Sequence, residues 1–548
     1  MTQTTDATPP AADIQPDVRP LHLATVIEVL ADAVPERAAI IELDRTWTFA
    51  EVDERSNRLA HHLLSLGLPT GSHVAVHSAN RIEWVDAFYG CLKARLVPIN
   101  VNYKYLHEEL AYLYDNADCV AAIVAPEHVE AVRSLDLPTL QHVLVMGEEY
   151  DAALAAAPAE RVGDLAGTRS ADDRYVLYTG GTTGKPKGVV WRQEDLILAA
   201  LNAGRFGAPL DSVEQLGTEA AAQETPMVLL ACGPMMHGGS QWILGNGHVS
   251  GAGVAFYTRP SFDAESVLDL VQHAKVNSLT FLGDAMGRPV AQAILAEPDR
   301  WDLSSLVAVS NGAAPLSEGV REEVRRALPG RFILDSYGAS ESGATGSRVD
   351  DGTEGALGAP KFGVGPDVEV FDAQMRPCPP GGEGMLARSG PIPLGYYRDE
   401  AKTAATFRVV DGVRWSIPGD HARREEDGTV TVLGRGSVCI NTGGEKVHPE
   451  EVEAVLLRHD AVFDAVVVGT PHDRWGQQVT ALVQPTEEAA GLPEAELRDQ
   501  LAAHVRGLLA NYKAPKEILL VPEVPRTPVS KVDYPASTRL ALDLLGVG

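Results

Sequence analysis

The string YTGGTTGKPKGV at 178–189 places four glycines, three threonines and two lysines directly behind the apolar run RYVLYT. Glycines let backbone N–H groups converge on an anion, and the hydroxyls of Thr179, Thr182 and Thr183 add donors. Lys185 and Lys187 bring positive charge, so the loop suits phosphate. It is not a Walker A loop. Three residues, not four, separate Gly180 from Gly184, and Pro186 stands where Ser or Thr would bind magnesium. Taken alone, the string also fits a Gly-rich surface loop.

Further along, SYGASES at 336–342 offers Tyr337 and Gly338 as a flat wall for an aromatic base. Ser340 and Glu341 supply hard oxygens of the kind Mg²⁺ prefers, although in isolation the string reads better as a tight turn with a solvated glutamate. SNGAAPL at 310–316 is built of small residues that permit close backbone approach. Asp420 in IPGDHA is a carboxylate placed after a strand and suited to a ribose diol, or an ordinary turn aspartate. Arg435 lies in GRGS, and Lys531 lies in PRTPVSKVDYP between two proline-bearing segments. A lone lysine there is ordinarily a solvated one.

The elements that must position these residues follow one rhythm. HVAVHS, RIEWVDAFYGCLKA, VPINV, HEELAYLYDNAD and CVAAIVA alternate short β-branched runs with helical stretches, and the pattern resumes through VLYTG, MVLLACG, VAFYT, SLTFLG, VAVSNG and FILDSYG. Strand then helix, repeated this often, predicts an α/β fold of mostly parallel, helix-covered sheets. Ligands sit at the carboxyl ends of such strands, and the glycine-rich loop, SNGAAP and SYGASE all fall there. From about 360 to 434, short strands broken by Gly, Pro and Asp predict a small β-rich subdomain. Beyond 438, helices and strands alternate in a compact α+β module. The Ala-rich DAALAAAPAE at 151–160 reads as a surface connector.

Composition sets the outer bounds. With 548 residues the chain predicts two or three cores, and 45% hydrophobic content with 22% charged excludes wholesale disorder. A formal net charge of −29 repels nucleic acid and anionic membranes, so a polyanionic ligand needs a local reversal of sign. The first 20 residues read as a disordered lead-in without a signal peptide, and no apolar run reaches the about 20 residues of a membrane helix. The five cysteines are scattered and never in a C-x-x-C pair, which predicts reduced thiols in the cytoplasm.

Together, the motifs resemble the adenylate-forming superfamily of acyl-CoA synthetases, luciferase and peptide-synthetase adenylation domains. YTGGTTGKPKGV looks like its phosphate loop and SYGASE like its second core motif. Gly419–Asp420, Gly434–Arg435 and the lysine of PRTPVSKVDYP follow in family order, and WTFAEVDERSNRLA at 47–60 resembles its opening segment. The likeness spans about 45 to 535. It implies an N-terminal adenylation domain over 21–434, a hinge at 435–437 around Ser437, and a mobile C-terminal lid over 438–548. Many relatives carry Asp or Lys at the hinge.

The resemblance implies two half-reactions, with Mg²⁺, ATP and coenzyme A as cofactor and co-substrates. Lys531, Glu341 and Thr179 take the catalytic roles, with Glu341 holding Mg²⁺. ATP and AMP fall to Thr179, Gly180, Gly181, Thr182, Thr183, Gly184, Lys185 and Lys187, to Asn311, Gly312, Ala313 and Ala314, to Tyr337, Gly338, Ala339 and Ser340, and to Asp420 and Arg435. The acyl group and CoA fall to His237, Gly238, Trp242, Thr442, Gly443, Gly444 and Glu445. In PMMHGGSQWILGNGHVS at 234–250, glycines 238, 239, 245 and 247 are expected to leave volume, Met235, Met236, Trp242, Ile243 and Leu244 to form apolar wall, and the lack of Asp and Glu to disfavour amine-bearing acids. WRQEDL and NTGGEKVHPEEVE look most like actinobacterial fatty-acyl and steroid side-chain CoA ligases. The expected function is therefore ATP-dependent CoA ligation of a bulky apolar acid. The alternatives are an aryl-acid CoA ligase or a catalytically silent AMP- or acyl-binding regulator. The expected partners are small molecules, without nucleic acid or membrane insertion, and a homodimer stays open.

Overall fold

The computed structural model describes residues 19–179, 185–201, 210, 212–259, 261–312, 316–350, 360–435, 438, 440–442, 445–472, 476–509, 511–527 and 532–547. Most of the expected lead-in, and Ser437, lie outside these residues.

Within them, the β-branched runs become parallel strands buried on both faces. His73–His77 pairs in parallel with Val97–Asn100 and Cys119–Val124, and Arg174–Thr179 pairs in parallel with Val97–Asn100. Val74 and Val76 enter the central core while Ala75 enters the outer one, the two-residue period of a pleated strand. A larger sheet carries the parallel strands Val228–Ala231, Gly253–Phe256, Ser278–Phe281, Ala308–Asn311 and Phe332–Ala339. There Ala231 and Val254 face the central core, while Leu230 and Ala255 face the opposite one.

Helices Leu23–Ala33, Phe49–Ser65, Ile82–Lys93 and Gly238–Val249 pack between the two sheets. Helices Ala264–Ala274, Asp284–Ala296 and Glu318–Ala327 cover the far face of the larger sheet, and His107–Asn116 covers that of the smaller. Helices on both faces are what parallel strands demand. The helix at Phe49 begins where it does because Thr48 and Glu51 form a reciprocal capping box.

Several expectations need correction. The segment 151–160 is no mere connector: its first six residues belong to helix Glu148–Ala156, and Leu154 within it is buried. The phosphate-loop string joins two antiparallel strands, because Lys187–Arg192 folds back on Arg174–Thr179 with Thr179 opposite Lys187. SYGASE does not begin after its strand. Phe332–Ala339 continues through Tyr337 and Gly338 and returns antiparallel as Gly343–Asp350. Asp420 does follow a strand, Val413–Ser416, and it also opens the next, Asp420–Arg424. The β-rich region is present, but Lys361–Val364 pairs with both Gly343–Asp350 and Val430–Arg435 and so extends the larger sheet.

The C-terminal residues build their own sheet from Ile440–Thr442, Glu445–Val447, Val462–His472, Gly476–Pro485 and Glu517–Leu520. Its cores draw on residues 440–545 alone. The Glu450 carboxyl lies so close to Gly434 (φ +106°) that a Cβ there would sit 2.2 Å from it. The Arg288 guanidinium stacks on the Phe463 ring at 4.8 Å.

One buried charge anchors the central helix layer. Lys93 is fully buried, and its Nζ donates to the Asp53 carboxylate, to Asn57 Oδ1 at 2.6 Å and to the Asp53 carbonyl at 2.9 Å. Burial pulls its pKa down to about 8, with Asp53 opposing. Removing one member of a buried pair strands the other. Lys93→Met is expected to lower unfolding free energy by about 3 kcal/mol in urea titration, Arg161 still holding the second Asp53 oxygen. A loss below about 1 kcal/mol would contradict this.

Candidate active site

The carboxyl ends of the two parallel sheets meet, and two buried asparagines fasten them. Asn80, just beyond His73–His77, donates to the carbonyls of Gly233 and Tyr257 at 3.1 and 2.9 Å and accepts from Met235 N at 2.7 Å. Asn100, at the end of Val97–Asn100, donates to the carbonyls of Tyr178 and Met236 at 2.8 and 2.6 Å and accepts from Tyr178 N at 2.8 Å. Each side-chain amide makes three hydrogen bonds in a site where an unmade one would be costly.

Thr179 ends its strand at this junction. Gly180, Gly181, Thr182, Thr183 and Gly184 lie outside the described residues. Lys185 stacks on the Tyr112 ring with its Nζ 4.4 Å from the centroid. Lys187 is ion-paired with Asp399, whose carboxyl it holds below the usual range. Glu341 sits in the turn between Phe332–Ala339 and Gly343–Asp350. Its Oε1 accepts from the Tyr396 hydroxyl at 2.8 Å, and its carbonyl accepts from Ser416 Oγ at 2.5 Å. The Ser340 carbonyl accepts from Trp191 Nε1 at 3.0 Å.

The nucleotide candidates group along the neighbouring strand ends. Asn311 is buried at the end of its strand, accepting from Gly283 N, just past Ser278–Phe281, at 2.9 Å and donating to Asp335, within Phe332–Ala339, at 3.2 Å. Gly312 N reaches the Phe281 carbonyl at 3.3 Å, and Ala313 and Ala314 lie outside the described residues. The Tyr337 hydroxyl donates to Asp420 Oδ2 at 2.7 Å, while its ring lies 5.5 Å from that of Phe362. Gly338 is a bulge where a Cβ would lie 2.4 Å from the Gly343 carbonyl, so only glycine fits. Ala339 closes that hairpin opposite Gly343, and Arg435 is the strand partner of Asp420. The structure thus brings Tyr337, Asp420 and the Arg435 backbone together.

The acyl candidates are partly corrected. His237 precedes helix Gly238–Val249; Met235, Met236 and Leu244 are buried, Met235 and Leu244 within the central core, with Trp242 and Ile243 half-buried against it. The glycines do not all leave volume. A Cβ at Gly238 would strike Leu177, one at Gly245 Leu201, and one at Gly247 Val254, each within 2.7 Å. Those glycines let the helix pack closely; only Gly239 faces open space.

In the C-terminal module, Thr442 is buried and pairs with Glu445 and Gly476. Gly443, Gly444 and Lys531 lie outside the described residues, but the flanks of Lys531 do not. Arg526 pairs with Val532 in a β-bridge and with Asp464 as an ion pair, and the Tyr534 hydroxyl donates to Glu453 at 3.2 Å.

The four described cysteines are buried. Burial pushes the thiols of Cys91, Cys119 and Cys232 well up, and thiolate chemistry needs the reverse. Among the described residues, His, Cys, Asp and Glu form no group of three able to hold a metal ion. One fixed carboxylate, Glu341, does suit Mg²⁺ arriving on nucleotide phosphates.

An α/β chain whose two sheets meet at a phosphate-type hairpin, an anchored carboxylate and a Tyr–Asp pair has the architecture of an adenylate-forming enzyme. The chain belongs to the AMP-binding enzyme family: that family's model matches residues 27–397, and the model of the AMP-binding enzyme C-terminal domain matches 451–531. It is 42% identical to a 3-oxocholest-4-en-26-oate–CoA ligase of Rhodococcus rhodochrous over 94% of this chain and 95% of the relative. It is 41% identical, over the same shares, to a medium/long-chain-fatty-acid–CoA/3-oxocholest-4-en-26-oate–CoA ligase of Mycobacterium marinum. The solved structure of the anthranilate CoA ligase AuaEII with anthranoyl-AMP covers 97% of this chain and 99% of that chain with a TM-score of 0.81 at 23% identity, a likeness of fold.

Sequence reading missed Asn80, Asn100, Tyr396 and the Glu453–Tyr534 pair. Burial, with Glu450 adding, pushes the Glu453 carboxyl up to about 8. An unfolded glutamate titrates near about 4.3, so between these values the folded state holds more protons and stability falls as pH rises. Glu453→Gln has no such proton to lose. Its melting temperature relative to the unaltered protein should rise from pH 5 to pH 8.5, read by calorimetry; a difference that is flat or falls with pH would contradict the shift.

Proposed function

We propose that the protein is an ATP-dependent acyl-CoA ligase for a bulky apolar carboxylic acid, a medium- or long-chain fatty acid or a steroid side-chain acid. The observation that carries this reading is the 41–42% identity, over nearly the whole chain, to ligases named for those acids. The buried Met235 and Met236 beside the sheet junction are in keeping with it.

In the first half-reaction a carboxylate oxygen attacks the α-phosphorus of ATP, pyrophosphate leaves, and an acyl-adenylate remains. Two anions must meet, so charge has to be neutralised in the transition state. Lys531 does this at the α-phosphate, and Thr179 to Lys187 grip the β- and γ-phosphates. Lys187 exchanges Asp399 for phosphate when ATP arrives. Mg²⁺, when bound, would supply positive charge to the phosphate oxygens, and Glu341 would hold it. Adenine lies between Asn311–Ala314 and Tyr337–Gly338, and Asp420, shared with Tyr337, takes the ribose hydroxyls with Arg435.

In the second half-reaction the CoA sulfur attacks the acyl carbon and AMP leaves. The lid over 438–548 turns about Ser437, withdrawing Lys531 and bringing Thr442–Glu445 to the acceptor. The protein works on small molecules in the cytoplasm, as a monomer or homodimer. Among the described residues no helix is long and apolar enough to cross a membrane.

Pyrophosphate release from ATP across a panel of acids tests the reading, with fatty and steroid acids expected to respond. Release only with aryl acids, or with none despite AMP binding, would favour the aryl ligase or the silent regulator. Lys531→Ala is expected to slow adenylation by ~10²–10³-fold while nearly sparing thioester formation from supplied acyl-adenylate. Equal losses in both half-reactions would refute the division of labour between the lid's two faces.

A further inference from the structure

The segment Gly395–Asp399 touches two of the charged groups proposed for the phosphate site, Lys187 and Glu341. Tyr396 is buried, and its hydroxyl donates to Glu341 Oε1 at 2.8 Å. Three residues on, Asp399 holds Lys187 with Oδ2 and caps helix Glu400–Thr406 with Oδ1, accepting from Lys402 N at 2.9 Å.

The backbone of this segment is itself fixed. Gly395 and Tyr396 pair antiparallel with Val190 and Val189 of the strand leaving the phosphate hairpin, and Tyr397 N donates to the Gly188 carbonyl at 2.7 Å. Tyr396 N donates to Thr403 Oγ1 at 2.9 Å, and its ring meets that of Phe407 edge-on, centroids 6.0 Å apart. These contacts hold the Tyr396 ring where its hydroxyl meets one oxygen of the Glu341 carboxylate.

We propose that Tyr396 is a positioning residue for the metal-directed carboxylate: by holding Oε1 it presents Oε2 of Glu341 in one orientation toward the cation carried by ATP. This rests on the reading of Glu341 as the metal residue. A carboxylate free to rotate must be ordered when the metal arrives; one already hydrogen-bonded need not be. Outer-shell partners of this kind are worth roughly 10–100-fold in metal affinity.

The test uses Tyr396→Phe in the full chain, which keeps the ring on Phe407 and removes the hydroxyl. Mn²⁺ is titrated by electron paramagnetic resonance with α,β-methylene-ATP present. Binding of the metal-free analogue is measured in EDTA as a check on fold. Tyr396→Phe should weaken Mn²⁺ binding about 10-fold, at the low end of the range for outer-shell partners, with analogue binding in EDTA unchanged and KM for the acid unmoved. Glu341→Gln should weaken Mn²⁺ binding further. Normal metal affinity in Tyr396→Phe beside a weakened Glu341→Gln overturns the positioning role and leaves the ligase reading intact. Normal affinity in Glu341→Gln overturns both the metal role of Glu341 and the inference built on it. Weakened analogue binding in EDTA for Tyr396→Phe also overturns it, since the hydroxyl would then serve the fold or the nucleotide instead. Should Tyr396→Phe not fold, Ser416→Ala, which frees the Glu341 carbonyl and leaves the phenol bond, separates the cases: a matching 10-fold loss there overturns a role particular to Tyr396, and unchanged affinity supports it.

Discussion

Everything at the candidate site depends on two sheets meeting at their carboxyl edges, and that meeting is made by two side-chain amides. Asn80 and Asn100 are buried, at 7% and 5% exposure, and between them they take up the carbonyls of Tyr178, Gly233, Met236 and Tyr257. Strand ends in a parallel sheet leave backbone groups unpaired, and burying them without partners would be costly. A carboxamide can donate twice and accept in one place, which an aliphatic side chain of the same size cannot. The junction places the hairpin that begins at Thr179 in one sheet beside the Met235–Met236 segment of the other.

Electrostatics follow from that geometry. A chain of net charge −29 offers ATP little general attraction, so its cations must be kept local. Lys187 is held by Asp399 and Lys185 by the face of Tyr112. Both arrangements keep an ammonium near the hairpin. Both partners of the Lys187–Asp399 pair are partly exposed, so the pair is screened by solvent.

Much of this was legible in the sequence, for physical reasons. Runs such as HVAVH and CVAAIVA announce strands buried on both faces, and the order of motifs announced the family. What lay hidden depended on distant neighbours. The strand Gly343–Asp350, reading GATGSRVD, is polar and glycine-bearing, so its pairing with Phe332–Ala339 carries no periodic signal. Glycine is ambiguous by nature: in 238–247 it could mean empty space or close packing, and only Leu177, Leu201 and Val254 decide for packing. Tyr396 lies 55 residues from Glu341 in the chain, and nothing local to GYYRD points to the contact.

A crystal structure with a non-hydrolysable acyl-sulfamoyl adenosine would test the central claim most directly. The ribose should hydrogen-bond to Asp420, the sulfamoyl group should face the Thr179 hairpin, and the acyl chain should run into the junction closed by Asn80 and Asn100, beside Met235 and Met236. A nucleotide seated away from Asp420, or an acyl chain leaving the junction for solvent, would contradict it.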